Sequence, residues 1–474
     1  MTITPMPRVI IIGGGISGLA LAYRLQQLAP PIDVTLLEKN TRLGGAVWTL
    51  QEGAFEIEVG PNGFLDNKPS TLALCEDLGL SDQLLPASEA AGRNRFVFLN
   101  SKLHRLPTSL LGFLTTGVLS WQGKRNVMME RFRPRRTEGS EETISSFFER
   151  RLGREIAGGL ADAFVTGIYA GDPSLLSVRA CFPRLVAMEQ EHGSLLRGMA
   201  ANARKRRKEA RAAGPSSRSS GRMWSLRGGL KALIDCLLSK LHEAPILPVN
   251  VQGIQRSRSP NSAWVVCGDG SRQWQADVVV LTCPAYEQAS LLTDVDPELA
   301  EDIGQIAYNR VAVIALGYRQ ADVPRTMDGF GYLVPQAERR DLLGVQWCSS
   351  IFPDRAPPGM ALIRAMCGGW HRGDMVEWDD ARLLQAVGKE LNQAMGIEAQ
   401  PIYHQVIRWP RAIPQYFVGH LDRVARIEGR LAEHPGLFVG GNAFRGVSLN
   451  DCTERAEILA KDINAYIISR SSQP

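Results

Sequence analysis

The chain has 474 residues, 44% of them hydrophobic and 22% charged, with a formal net charge of +5. That length predicts two or three domains rather than one core, and so mild a charge gives no ground for a nucleic-acid partner. Eight cysteines are scattered without a CxxC pair, and seven histidines never fall at HxxH or HExxH spacing, which argues against a disulfide framework and a metal centre.

Residues 9–12, all Val or Ile, predict a strand covered on both faces. Gly13, Gly15 and Gly18 follow at GxGxxG spacing. A helix is expected over 17–28, stopped by Pro30 and Pro31, and a second strand over 34–37 runs into Glu38. Strand, glycine turn, helix, strand and acid within one βαβ unit form a dinucleotide-binding pattern. Gly13 permits the tight turn, Gly15 lets the backbone approach a pyrophosphate, and Gly18 lets the helix sit close to the strand. The helix start offers free N–H groups to phosphate, and Glu38 can accept both ribose hydroxyls. Arg42, Gly44 and Gly45 then form an RxGG doublet ending at Ala46.

A strand over 55–62 turns at Gly60, Pro61, Asn62 and Gly63, a short helix is expected at 70–80, and a strand at 96–99 follows Arg95. From 106 to about 211 the pattern is helical. The apolar stretch 106–121 is interrupted by Pro107 and two glycines, so it can rest in a bilayer interface without crossing it. Basic residues crowd 124–136 and 204–211, each worth about 1 kcal/mol beside anionic lipid; a frayed helix running into a flexible Ser-rich loop is the other reading of 204–222. Gly167 and Gly171 bracket 168–170, which predicts a turn. A helix over 230–241, a strand over 246–251, a hairpin over 263–275 and a buried strand over 276–281 rejoin the first domain. Strands at 310–318, 329–335, 344–347 and 361–367 predict an antiparallel sheet under a helix at 379–395, the candidate substrate floor. A strand, a glycine-rich turn and a long helix follow from 437, with Asp451 and Glu454 at capping-box spacing. Seven residues precede the first strand, too few for a signal or transit peptide, so a cytoplasmic protein or one peripheral on a membrane is expected.

The segments GGGISGLA, NRF (94–96), GIYAGDP (167–173), WSLRGGL (224–230), GFGYLVP (329–335), IPQY (413–416) and GGNAFRGVSLNDC (440–452) together resemble the oxygen-dependent protoporphyrinogen oxidases. These belong to the FAD-containing amine oxidase and phytoene desaturase superfamily, and the likeness runs over nearly the whole chain. It implies an α/β fold with three interleaved parts. A Rossmann-like FAD-binding domain would come from 1–85, 223–297 and 405–474; an antiparallel-sheet substrate domain from 86–95 and 298–404; a helical membrane-associating domain from 96–211.

The resemblance also implies site residues. One non-covalent FAD would be held by Gly13, Gly14, Gly15, Ile16, Ser17, Gly18, Glu38, Arg42, Gly44, Gly45, Ala46, Gly60, Pro61, Asn62, Gly63, Val251, Trp409, Gly441, Val447, Ser448 and Leu449. The last helix would turn its positive end toward the flavin. For a porphyrinogen, Arg95 would take a propionate in a bidentate fork, Phe330 and Leu333 would sandwich a pyrrole ring, Met366 would line the reacting edge, and the Gly167 carbonyl would face the pyrrole N–H groups. The implied reaction oxidises protoporphyrinogen IX to protoporphyrin IX by three hydride transfers, with dioxygen as acceptor and hydrogen peroxide released; no residue is assigned as acid or base. Coproporphyrinogen III as substrate, another amine-oxidase or desaturase-type enzyme, a non-catalytic porphyrin-binding flavoprotein, and a homodimer all stay open. For Arg95 a surface salt bridge competes with the functional reading, and for Phe330, Leu333 and Met366 ordinary sheet core does. Ala46 and Asn62 depart from the bulkier or basic residues of some family members.

Overall fold

The structure, a computed structural model, describes residues 6–107, 110–136, 141–213, 221–258 and 262–471. The Ser-rich part of the expected loop, 214–220, and residues 108–109 of the apolar stretch lie outside the described residues.

The strand Arg8–Ile12 sits inside a four-stranded parallel sheet, with Asp33–Leu37 on one side and Val278–Leu281 then Leu437–Val439 on the other. A parallel sheet of this kind needs cover on both faces, and the run of β-branched residues supplies both. Val9 and Ile11 pack with the helices Ile16–Gln26, Lys231–Lys240 and Leu449–Ser471, while Ile10 and Ile12 pack against Trp264, Val266, Leu292 and Ile427 on the opposite side. This is the Rossmann-like α/β core.

A second, seven-stranded sheet runs in the order Tyr403–Trp409, Arg310–Arg319, Met360–Gly369, Leu342–Trp347, Gly331–Leu333, Phe96–Leu99, Lys102–Arg105. Its neighbours are antiparallel except Gly331–Leu333 beside Phe96–Leu99, which are parallel. One face buries Ile314, Ile363 and Cys367 under the helix Asp380–Met395. The other face turns toward the first sheet.

Four local expectations differ from what is observed. The two strands at Phe96–Leu99 and Lys102–Arg105 extend the seven-stranded sheet instead of opening the helical region, because the Asn94 carbonyl accepts the Phe330 N–H and ties them to its edge. Residues 246–251 form only a bridge from Ile246 to Leu37, the strand beginning at Val251; Pro248 has no N–H to give a ladder. Residues 167–169 complete the helix Asp162–Tyr169, and the break falls at Ala170, whose φ of 44° ends it. The capping box is one turn earlier than expected: the Ser448 hydroxyl accepts the Asp451 N–H, and the Asp451 carboxylate accepts the Ser448 N–H. Glu454 instead pairs with Lys68.

The helical region from 110 to 213 is organised by a buried ion pair. Arg151 on the helix Ile144–Leu152 donates to Glu130, both side chains being fully buried. The Glu130 carboxylate also accepts the Ser194 hydroxyl and the N–H groups of Leu195 and Leu196, which caps the helix Leu195–Ala213. Among the described residues no helix is long and apolar enough to cross a membrane.

Candidate active site

Gly13, with φ of 115°, turns the chain out of the first strand, and an added Cβ there would lie 2.7 Å from the Cys283 nitrogen. At Gly18 it would run into the Gly13 carbonyl oxygen and come 2.8 Å from Thr282 Oγ1. Gly15 is different: its backbone is ordinary, with φ of −74°, and a Cβ would meet nothing within 4 Å. The helix that starts there has no side-chain cap and no acid in its first turn. An open concavity beside uncapped helix N–H groups is what a pyrophosphate requires.

The other cofactor residues gather around this turn from distant parts of the chain. Gly44 donates to the Gly14 carbonyl at 2.8 Å, and Gly15 and Gly44 are bridged. Arg42 donates to the Gly45 carbonyl at 2.9 Å and lies over the Trp48 ring. Burial pulls its pKa down against the attraction of Glu38. Glu38 accepts the Gly14 N–H at 2.7 Å on one oxygen, and the Asn40 N–H at 2.8 Å and its Nδ2 at 2.6 Å on the other, so it braces the turn while the first oxygen keeps a lone pair for a sugar. Its backbone is flanked by Ile246 and Val249, which brings Val251 to the same end. Ala46 sets its carbonyl where a side chain at Gly60 would go, so doublet and turn touch. The Trp409 Nε1 donates to the Val59 carbonyl at 3.0 Å and fastens the substrate sheet to the turn at 60–63. Gly441, with φ of 98°, approaches Thr282, and the Ser17 hydroxyl bonds the Cys452 thiol of the last helix, beside Val447, Ser448 and Leu449. The residues fit a dinucleotide cofactor.

Three of the residues expected to meet a substrate, Leu333, Met366 and Gly167, come together. Cross-strand register places Leu333 opposite Gly344, Gly344 opposite Met366, and Met366 opposite Val313, so Leu333 and Met366 share a face. Gly167 packs on that face: a Cβ there would lie 2.9 Å from Leu333 Cδ2. Its carbonyl belongs to the last turn of its helix, where carbonyls lack partners within the helix. Asn309 and Gln415, which sequence reading did not single out, satisfy the Tyr169 carbonyl at 2.7 and 3.0 Å and hold that helix end in place. Arg95 sits 5.3 Å above the Phe330 ring and forms no ion pair among the described residues, so the surface salt bridge is not what occupies it.

Asp162 fixes the helix carrying Gly167 to the chain beyond Leu333 by accepting the Gln336 N–H. Burial pushes its carboxyl up from 3.8 to about 6, the Gln336 N–H and His371 opposing. A folded-state value above the unfolded one means that ionisation costs stability, increasingly as pH rises from the lower value to the higher. Asp162→Asn is therefore expected to gain about 2–3 kcal/mol over the parent above pH 6 and nothing below pH 3, read from paired urea melts.

A dinucleotide cradle facing an apolar sheet floor defines a flavoprotein oxidoreductase. The chain matches the family described as flavin containing amine oxidoreductase over residues 16–464, and it belongs to that family. It is 30% identical to the coproporphyrinogen III oxidase of Bacillus subtilis, over 97% of this chain and 98% of that one. It is 33% identical to the protoporphyrinogen oxidase of Homo sapiens, over 94% and 96% of the two chains. A crystal structure from Exiguobacterium sp. 255-15 superposes with a TM-score of 0.81 at 28% identity, covering 97% of this chain and all of that one. The protein is an FAD-dependent enzyme of this family, and FAD when bound supplies a two-electron acceptor for a C–H donor.

Proposed function

We propose that this enzyme oxidises protoporphyrinogen IX to protoporphyrin IX, passing six electrons in three rounds to dioxygen by way of FAD and releasing hydrogen peroxide. The observation that carries the reading is the apolar face built from Leu333, Gly167 and Met366, together with Arg95, which forms no ion pair among the described residues and lies over the Phe330 ring. A flat macrocycle can lie on such a face while a guanidinium takes one propionate. The chain's own groups orient and enclose the substrate, no residue is assigned as a base, and catalysis rests on placement. Coproporphyrinogen III is the second reading, favoured by the likeness to the Bacillus subtilis enzyme along both full lengths. Aerobic incubation of the yellow protein with each porphyrinogen in turn, following porphyrin fluorescence and peroxide above the spontaneous rate, ranks the two. No acceleration with either would overturn the proposal.

The same reading divides the chain into an FAD domain, a substrate domain and a helical domain that rests on an anionic membrane surface. Trp121 and Phe132 are 75% and 60% exposed, with Met128 and Met129 beside them, and Arg131 stacks on Phe132. Apolar side chains interleaved with cations suit a headgroup interface. Co-sedimentation with vesicles containing phosphatidylserine is expected to exceed that with neutral vesicles and to fall in a Trp121→Ser/Phe132→Ser variant; equal recovery in all three cases would refute membrane contact.

A further inference from the structure

Arg364 lies in the strand Met360–Gly369 two residues before Met366, so the pleat sends both side chains to the same face. Its Nη2 donates to the Gly60 carbonyl at 2.8 Å, and its Nη1 to Asn62 Oδ1 at 3.4 Å and Gln346 Oε1 at 3.3 Å. It therefore spans the seam between the substrate floor and the turn at 60–63. The residue is 2% exposed, yet it forms no ion pair among the described residues. The other fully buried arginines, Arg151 and Arg355, each face a carboxylate.

Two donors at this seam have no partner: Arg364 Nε and Asn62 Nδ2. Each such orphan costs on the order of 1–3 kcal/mol, and an uncompensated buried charge costs more. Burial is the main influence on Arg364 and pulls its pKa down, Cys348 and Glu58 opposing; a guanidinium nonetheless keeps its proton. What the packing offers this charge is three neutral acceptors and the field of the buried Glu58 carboxylate, with which it forms no ion pair. A cofactor that reaches from the Gly15 cradle to a substrate lying on Met366 has to cross this seam.

We propose that Arg364, with Asn62 beside it, is a positioning residue that presents a fixed positive charge and free donors to the bound flavin and raises its affinity for electrons. The inference rests on the FAD-oxidase reading above. A preorganised cation in a water-poor seam stabilises negative charge that develops as electrons arrive, at no reorganisation cost. The groups that Arg364 bonds, Gly60, Asn62 and Gln346, are all uncharged, so Arg364 is the cation among them.

The test is an anaerobic redox titration of the holoenzyme without porphyrinogen, paired with the rate of flavin reduction by protoporphyrinogen. Arg364→Met is expected to lower the midpoint potential and to slow reduction at least about tenfold. Arg364→Lys, which keeps the charge but cannot reach all three acceptors, is expected to hold the potential near that of the parent. Asn62→Asp sets a carboxylate against the guanidinium and is expected to lower the potential as Arg364→Met does, which covers the case in which the methionine variant does not fold. An unchanged potential in Asn62→Asp, or an Arg364→Lys potential as low as that of Arg364→Met, would overturn the proposal in favour of a plain structural brace. A parent enzyme that binds FAD but oxidises neither porphyrinogen would refute the proposed function while leaving the titration to decide Arg364.

Discussion

Replacing Gly15 by alanine is expected to leave the apoprotein as stable as the parent and yet to weaken FAD binding at least about tenfold, because the methyl group fills space reserved for the pyrophosphate. The backbone there is in an extended conformation any residue adopts, with nothing within 4 Å of the added carbon. Gly18→Ala is expected to do the reverse in kind. Its methyl meets the Gly13 carbonyl and Thr282, atoms of the packed strand ends that cannot move aside. The cost is about 3 kcal/mol or more in the apoprotein itself, and holoenzyme is lost as a consequence. Urea unfolding of FAD-free protein separates the two variants, and FAD titration by flavin fluorescence quantifies the first. Equal stability losses in both would mean that Gly15 is a structural glycine after all.

Arg151→Met is expected to destabilise the protein by about 3–5 kcal/mol, since it strands the buried Glu130 carboxylate and removes a partner of Glu189. The loss should appear first in the helical region, where Glu130 holds the start of the helix Leu195–Ala213. Adding Glu130→Gln to the variant should recover part of it, because a neutral amide is cheaper to bury. Burial is the largest influence on Glu130 and pushes its pKa up, but Ser194, Leu195, Arg151 and Leu196 together bring it below the ordinary value. With the folded value depressed, the stabilisation is present above the unfolded pKa near 4 and disappears as pH falls through the folded one. The difference between parent and Arg151→Met should accordingly narrow under acid. Denaturant midpoints at pH 7 and pH 3 measure it, and a gap that is no smaller at pH 3 would contradict the assignment.

How much of this was legible in the sequence depends on the range of the interaction. The glycine turn, Glu38 and the doublet lie within 38 residues of one another, and each reports its job through local spacing alone. Leu333, Met366 and Arg95 were reached only through family likeness, since an isolated Leu or Met on a strand looks like core. Arg364 was out of reach: its meaning comes from Gly60 and Asn62, about three hundred residues away, and an arginine inside the run ALIRAMC reads as an edge charge. The roles of Asn309, and of Gln415 within the IPQY segment, were unreadable for the same reason, as each acts on a helix end far along the chain. The misplaced turn at 168–170 has a different cause. Glycines argue for a break at 167, but tertiary braces on the Tyr169 carbonyl carry the helix through Gly167 to Tyr169.

The order of the parallel sheet has a consequence for how the protein is born. Its inner strand, Arg8–Ile12, leaves the ribosome well ahead of the outer strand Leu437–Val439 and of the helix Leu449–Ser471. At 5–20 residues per second the interval is roughly 20 to 85 s. Through that time the apolar run at 9–12 has no complete sheet to join and presents unpaired strand edges. The cradle cannot be complete before the helix Leu449–Ser471 has been made, so flavin supply acts on that later stage and not on early folding.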